Sequence, residues 1–476
     1  MNAIVAALLL AVAPPTARDR VYTADQTSNT VSVFDPAAMK LLGVVTLGAP
    51  RTDVLSPIYR GQANVHGLGF SPDHRTLVVV SVATNSVTFI DTATARSKGV
   101  VYVGRAPHEA FFTPDGKEVW VSVRGENYIS VLDPVAMKEV RRITVADGPG
   151  MVRFRADGEV AFVVSSFTPE VDVVDVKTHE IVKRVPVVSP FSPNLDVCSD
   201  GTMWMTHKDV GKVTVIDART YAVKHVFDTG RITNHVACVD HGDEKLAFVT
   251  VGGDDVVKVY TRADPPQLVA TIPTGALPHG LWPSGDGSRV FVGLENGDGV
   301  AVLDTATRRE LGRIPGGQAP QALVYVPDAV PAGTEKEQLK PLDEVRRPLT
   351  LTLIPPGGDQ PGAARGLAVV RGLGLVDALD VNVLGLSPGT VYGVYVMPTP
   401  QPPWKVVRHL AELKTNPKGA GAAQAIGPLH DAVQPRPDAA APHRRWLVVI
   451  PRGNAEAPPV LVSEIAAEAP GPTGAK

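Results

Sequence analysis

Seven positions, one in each of seven repeats, hold His66, His108, Gly150, Asn194, His235, His279 and Gln321, and all but the glycine carry a side chain with a capacity for chemistry. Each sits at the start of an apolar run near a Pro or Asn, as in PHEAFFTPD, NHVACVD and PHGLWPSGD. Four of the seven are His, in a chain with only twelve histidines. Imidazole is a common neutral ligand for Cu, Zn and Fe, and it also bonds backbone carbonyls. Two readings follow. In the first, His66, His108, His235 and His279 hold a transition metal, copper or zinc. In the second, they seal a channel against neighbouring backbone or line a ligand site. The histidines fall in two pairs from adjacent repeats, so one ion with bonds of about 2.0–2.1 Å would require the pairs to converge.

Such a register has meaning only if the repeats form a ring. The stretch Ala106–Gly148 reads as four short strands (HEAFFT, KEVWVSV, YISVLD, EVRRITV) separated by the turns PDG, GEN and PVAMK. That is an antiparallel meander. Its third strand recurs as TVSVFD, SVTFID, YISVLD, EVDVVD, KVTVID, VVKVYT and GVAVLD, with spacings of 56, 42, 42, 42, 44 and 43 residues. A period near 42 with four strands per unit marks a β-propeller, here with seven blades. The chain enters at a second strand, RVYTADQ, and the matching first strand is Gln321–Asp328 (QALVYVPD), so both chain ends complete one blade. The Asp that ends six of the third strands reads as a turn former.

First strands line a propeller's channel, so the seven register residues ring one mouth. Loops between second and third strands emerge on the same face: Arg124–Asn127, His207–Asp209, Asp254–Asp255 and Glu295–Asp298. The one long insertion, Ala49–Asn64, leads straight into His66 and adds Arg51, Asp53, Tyr59 and Arg60 as candidate ligand contacts.

The segments VYTADQTSNTVSVFD, VWVSVRGENYISVLD and FVGLENGDGVAVLD, followed by VG- or GG-type turns and P-H or P-Q, resemble the YVTN-repeat β-propellers. Propellers like those of quinoprotein amine dehydrogenase and nitrous oxide reductase are more distant relatives. The resemblance implies the fold over about two-thirds of the chain. It leaves function open, because members include surface-layer proteins, periplasmic ligand- or DNA-binding proteins and relatives of redox-enzyme propellers.

The remaining sequence sets bounds. A net charge of −3 with 20% charged residues favours neither a nucleic acid nor a membrane surface as partner. The apolar run Ala3–Ala13 resembles a signal-peptide core, too short to span a bilayer, which places residues 1–17 as a signal peptide and the product in the periplasm or medium. Cys198 and Cys238 are expected to be two buried free thiols. The expected organisation is all-β: a seven-bladed propeller over residues 20–330, a linker over 331–348, a small β-sandwich-like domain over 349–465 and a disordered tail over 466–476. Eight strand candidates fill that second domain, from LTLTLIP to PVLVSEI. His108-Glu109 begins like H-E-x-x-H, but Phe112 replaces the second His and the segment is strand. No P-loop and no G-x-S-x-G elbow occurs. The sequence therefore points to non-catalytic binding of a small molecule or cell-envelope protein at the channel mouth, by His66, His108, Asn194, His235, His279, Gln321, Arg124, Arg51, Tyr59 and Arg60. The alternatives are a metal- or cofactor-assisted oxidoreductase or lactonase-like enzyme at the same mouth, and an envelope scaffold.

Overall fold

The computed structural model describes residues 14–47, 63–334, 337–342, 349–360, 362–372, 377–427, 429, 445–453 and 457–465. Most of the segment expected to be a signal peptide, the loop residues Arg51, Asp53, Tyr59 and Arg60, and the expected tail lie outside the described residues. The described residues form two compact units, one ending at Leu342 and the other beginning at Leu349. Among the described residues no helix is long and apolar enough to cross a membrane.

The first unit is a ring of seven four-stranded antiparallel sheets. Blade 1 joins the two ends of the unit. Its innermost strand is Pro320–Val326, and Arg20–Asp25, Thr30–Asp35 and Lys40–Thr46 follow outward. The joint is a register of Arg20 with Val326, Val21 with Tyr325 and Tyr22 with Val324. Asp19 secures it by accepting from the Tyr325 hydroxyl (2.6 Å) and from the Asp328 amide (2.7 Å). Every blade therefore has its full set of four strands, and the second strand of blade 1 is paired on both sides.

The blades hold together through aromatic residues at one position of the second strand. Tyr22, Trp120, Phe162, Trp204, Phe248 and Phe291 occupy it in six blades, all at most 2% exposed, and Val78 takes it in blade 2. Burying one such ring contributes about 3 kcal/mol. The outermost strands show a different chemistry. Lys138–Thr144 (KEVRRIT) and Arg309–Pro315 (RELGRIP) leave their charged residues in solvent, which discourages pairing with other edges.

The third-strand aspartates act as turn formers. Asp35 accepts from the Ala37 and Ala38 amides, Asp133 from Val135 and Ala136, and Asp217 from Arg219 and Thr220. These amides hold the Asp133 and Asp217 carboxyls below the usual carboxylate range.

Two expectations from the sequence are corrected. Cys198 and Cys238 form a disulfide, because first strands of neighbouring blades bring their Cα atoms to 5.5 Å, within the range that a disulfide spans. Residues 331–334 and 337–342, within the expected linker, belong to the propeller unit. Lys340 pairs with Val44, the Gln338 amide donates to Thr94 O, and Glu337 accepts three hydrogen bonds from the Arg20 guanidinium. Both side chains of that ion pair are more than nine-tenths buried.

The second unit contains the eight expected strands, Leu349–Ile354, Arg365–Gly372, Asp377–Leu384, Val391–Met397, Arg408–Lys414, Gly421–Gly427, Trp446–Pro451 and Leu461–Ile465. They form one eight-stranded antiparallel sheet whose two terminal strands, Arg408–Lys414 and Gly421–Gly427, come side by side. This is a sandwich-like near-barrel. Its core is the alternating apolar face of Leu351, Leu353, Val381, Val394, Leu413 and Val449.

Candidate functional site

A strand normally sends consecutive side chains to opposite faces. At the register position the first strands break that rule. The pairing slips between Val65 and Leu68, Pro107 and Ala110, Pro149 and Met151, Thr233 and Val236, and Pro278 and Leu281. Each slip is a β-bulge, a device that re-aims side chains. It brings His66 against His108 (ring centroids 4.1 Å apart) and His235 against His279 (4.7 Å).

Hydroxyls on the second strands secure the bulges to the next blade. Ser122 Oγ accepts from the Glu109 amide and donates to Gly150 O (3.0 Å). Thr250 Oγ1 accepts from the His235 amide and donates to His279 O (2.7 Å), and Thr206 Oγ1 donates to Asn234 O (2.7 Å).

Backbone carbonyls and amides also set the tautomers. His108 Nδ1–H donates to Gly150 O (2.7 Å) and His279 Nδ1–H to Gln321 O (2.8 Å), which leaves each Nε2 with its lone pair free. Asn194 Oδ1 accepts from the Val236 amide, so its Nδ2 donates to His235 Nδ1 (3.2 Å). The proton of His235 is therefore on Nε2, a buried atom with no hydrogen-bond partner. Gln321 Nε2 is likewise buried and unpartnered.

All four imidazoles are neutral at pH 7. Burial comes first among the causes, and it lowers His66 and His235 to about 3. Arg124 and Lys208 push His66 further down, and Lys208 does the same to His235 and His279. His108 is held well below its ordinary value by burial, then by His66 and Arg124. Arg124 and Lys208, the two cations, are themselves lowered by burial. Arg124 lies over the Phe191 ring, 5.2 Å from its centroid. Lys208 is drawn electrostatically to Glu295.

Further in, a narrow cavity is lined by Glu109, Phe111, Arg153, His235 and Trp282 among others. The Arg153 guanidinium is stacked between Phe111 (4.4 Å) and Trp282 (4.5 Å), and burial lowers its pKa. Glu109 is 1% exposed and accepts from the Leu68 amide through Oε2 (3.3 Å), while burial raises its carboxyl to about 8. Glu109 Oε1 stands 3.8 Å from His66 Nδ1, and neither atom completes a hydrogen bond.

The structure thus brings His66, His108, Asn194, His235, His279 and Gln321 to one ring, with Arg124 acting electrostatically on His66 and His108. It gathers them differently from a four-histidine cage. Among the described residues the group able to surround an ion is His66, His108 and Glu109. The loop acids have a structural task instead. Asp255 Oδ1 accepts from the Leu277 amide and Asp298 Oδ1 from Ala319, each fixing the approach to the next blade, as Asn29 does for Ala63 and Asn64 and Asn85 for Ala106. Sequence reasoning dismissed Glu109 with the incomplete H-E-x-x-H motif, and it placed the loop of Lys208 on the mouth face without making Lys208 a contact. The signal for Glu109 was available: it is the only acid directly after a register residue.

Ring, repeat and closure together define a seven-bladed β-propeller. Residues 99–328 match the family model described as a YNCE-like beta-propeller. The uncharacterized protein YncE of Salmonella typhimurium is 32% identical over 94 residues, which are 20% of this chain and 26% of that protein. YncE of Salmonella typhi matches to the same extent. The chain spans about a quarter of the length of these curated relatives. Kuenenia stuttgartiensis hydrazine synthase superposes with a TM-score of 0.52 at 20% identity, over 56% of this chain and 91% of that one. A functionally unknown protein from Desulfotomaculum acetoxidans gives 0.54 at 11% identity, over 64% and 98%. At these identities the structural likeness concerns the fold alone.

Proposed function

We propose that the propeller is an exported, non-catalytic receptor for a small anionic ligand at the His-ringed channel mouth. The observation that carries this reading is the set of buried N–H donors without a partner, His235 Nε2 and Gln321 Nε2, on a ring where Lys208 and Arg124 bear the charge. Unpaired buried donors are costly, and an acceptor bound there would recover that cost. Neutral imidazoles add polarity without adding charge, so the cations, Lys208 and Arg124 with Arg153 further in, set the sign of the ligand. A carboxylate or phosphate meets both demands. Export is supported by the apolar run Ala3–Ala13 and by the Cys198–Cys238 disulfide, a bond that persists in oxidising compartments.

The test is calorimetric titration with a panel of dicarboxylates and phosphate esters in the presence of a chelator. At least one should bind, and Lys208→Ala should weaken it tenfold or more with a reduced salt dependence. If no anion bound, or if Lys208→Ala bound as the parent does, the reading would fail. Fusing residues 1–25 to a reporter active only outside the cytoplasm tests export, and a silent reporter would refute it.

A further inference from the structure

We propose that His66, His108 and Glu109 form a binding site for one divalent transition-metal ion, zinc or copper, in the wall of the propeller channel. The inference rests on geometry independent of the anion site. One ligand atom from each of the three residues lies within 4.8 Å of the other two, and all three side chains are buried. Glu109 Oε1 and His66 Nδ1, 3.8 Å apart, are close to the edge of about 3.3 Å that a tetrahedron with bonds of 2.0–2.1 Å requires.

Two features suit a metal better than they suit a sealed core. Glu109 Oε1 is a buried carboxyl oxygen without a hydrogen bond, a group whose burial calls for a partner. His108 is already oriented as metal-ligating histidines are, with Nδ1–H on a backbone carbonyl and Nε2 presented as a lone pair. The same arrangement supports Glu109, whose other oxygen is held by the Leu68 amide.

The local fold explains why this trio occurs in one place among seven. The bulge between Pro107 and Ala110 lets consecutive residues, His108 and Glu109, both serve the channel. Gly67 makes room for them: a Cβ there would stand 2.2 Å from His108 O and 2.8 Å from Glu109 Oε2. The second histidine that the sequence HEAFF lacks is thus supplied by the preceding blade. His235 is unsuited to the same role, because Asn194 holds its Nδ1 as acceptor and keeps the proton on Nε2. A two-His, one-carboxylate set leaves a coordination position open, and Arg124, which acts on both histidines, favours an anion in it.

The experiment uses the full chain without a His-tag, stripped by chelator and titrated with Zn(II) and Cu(II) by calorimetry, and with Co(II) by its visible spectrum. One equivalent should bind, with the intense absorption of four-coordinate Co(II). Glu109→Gln, which keeps an acceptor for the Leu68 amide, should weaken binding tenfold or more, and His108→Ala at least as much. His279→Ala, in the opposite pair, should stay within about twofold of the parent. Thermal unfolding of each variant in chelator checks that the fold is retained. Binding below a tenth of an equivalent, or a Glu109→Gln titration that overlays the parent, would overturn the site. So would an equal loss in His279→Ala. Anion binding measured in chelator is unaffected by any of these outcomes, so the two readings can fail separately.

Discussion

Asp25 offers a quantitative test of how the blade that closes the ring is built. Its carboxylate is fully buried and accepts from three hydroxyls, Thr23 (2.6 Å), Thr30 (2.9 Å) and Ser32 (2.7 Å). Burial nevertheless wins, with Asp298 adding to it, and raises the group from 3.8 to about 7. A carboxyl raised in the folded state binds more protons than the unfolded chain between those values. Its contribution is therefore complete below about pH 4 and is lost as the pH rises through 7. At about 1.36 kcal/mol per pKa unit the loss is roughly 4 kcal/mol by pH 8.5. Asp25→Asn stays neutral throughout, at the expense of about 1 kcal/mol for one mismatched hydroxyl. We expect the variant to be about as stable as the parent at pH 4.5, where roughly 1 kcal/mol of the parent's contribution is already lost, and about 3 kcal/mol more stable at pH 8.5. The assay is urea unfolding followed by tryptophan fluorescence at both pH values. Differences between parent and variant cancel titrations elsewhere. Parallel pH profiles for the two proteins would refute the reasoning.

Three other outcomes follow from the geometry. Glu337→Ala leaves the buried Arg20 guanidinium without its carboxylate and should destabilise the propeller by about 3–5 kcal/mol, read from the urea midpoint. Replacing Cys198 and Cys238 together by Ala opens a loop with a sequence separation of 40 and should cost about 4 kcal/mol under oxidising conditions, with no difference from the parent once both are reduced. Lys208→Ala should raise the pKa values of His235 and His279, since Lys208 lowers both, as followed by imidazole NMR signals during a pH titration.

The architecture was legible because it is periodic. A third strand that ends in Asp every 42 residues or so leaves a trace that a single sequence reveals, and the partner of RVYTAD could be sought at the other end once one strand was missing. The eight strands of the second unit were equally plain, each bounded by Gly or Pro. What could not be read depends on departures from periodicity. A bulge inserts its extra residue without any distinctive residue type to announce it, so nothing in HEAFF shows that His108 and Glu109 both reach the channel. The tautomers of His235 and His279 are set by Asn194 and by the Gln321 carbonyl, contacts across blades that strand spacing does not encode. The acids of the 254–255 and 295–298 loops looked available for ligands, but in Asp255 and Asp298 the carboxylate is committed to an amide of the following blade. Cys198 and Cys238 sat at matching positions of adjacent repeats, yet only the distance between first strands distinguishes a bridge from two thiols.

The joint in blade 1 has a consequence for how the molecule is made. Arg20–Asp25 is among the first strands to be synthesised, and its inner partner, Pro320–Val326, emerges about 300 residues later. Bringing the ends of such a loop together carries an entropic cost of about 5 kcal/mol, and pairings of this range are the slow ones in folding. Until then a sheet edge waits unpaired, open to another chain or to a chaperone. Closure is therefore the natural checkpoint of biogenesis: a nascent chain truncated before Pro320 should be held or degraded, and one that extends past Val326 should acquire protease resistance in a single step.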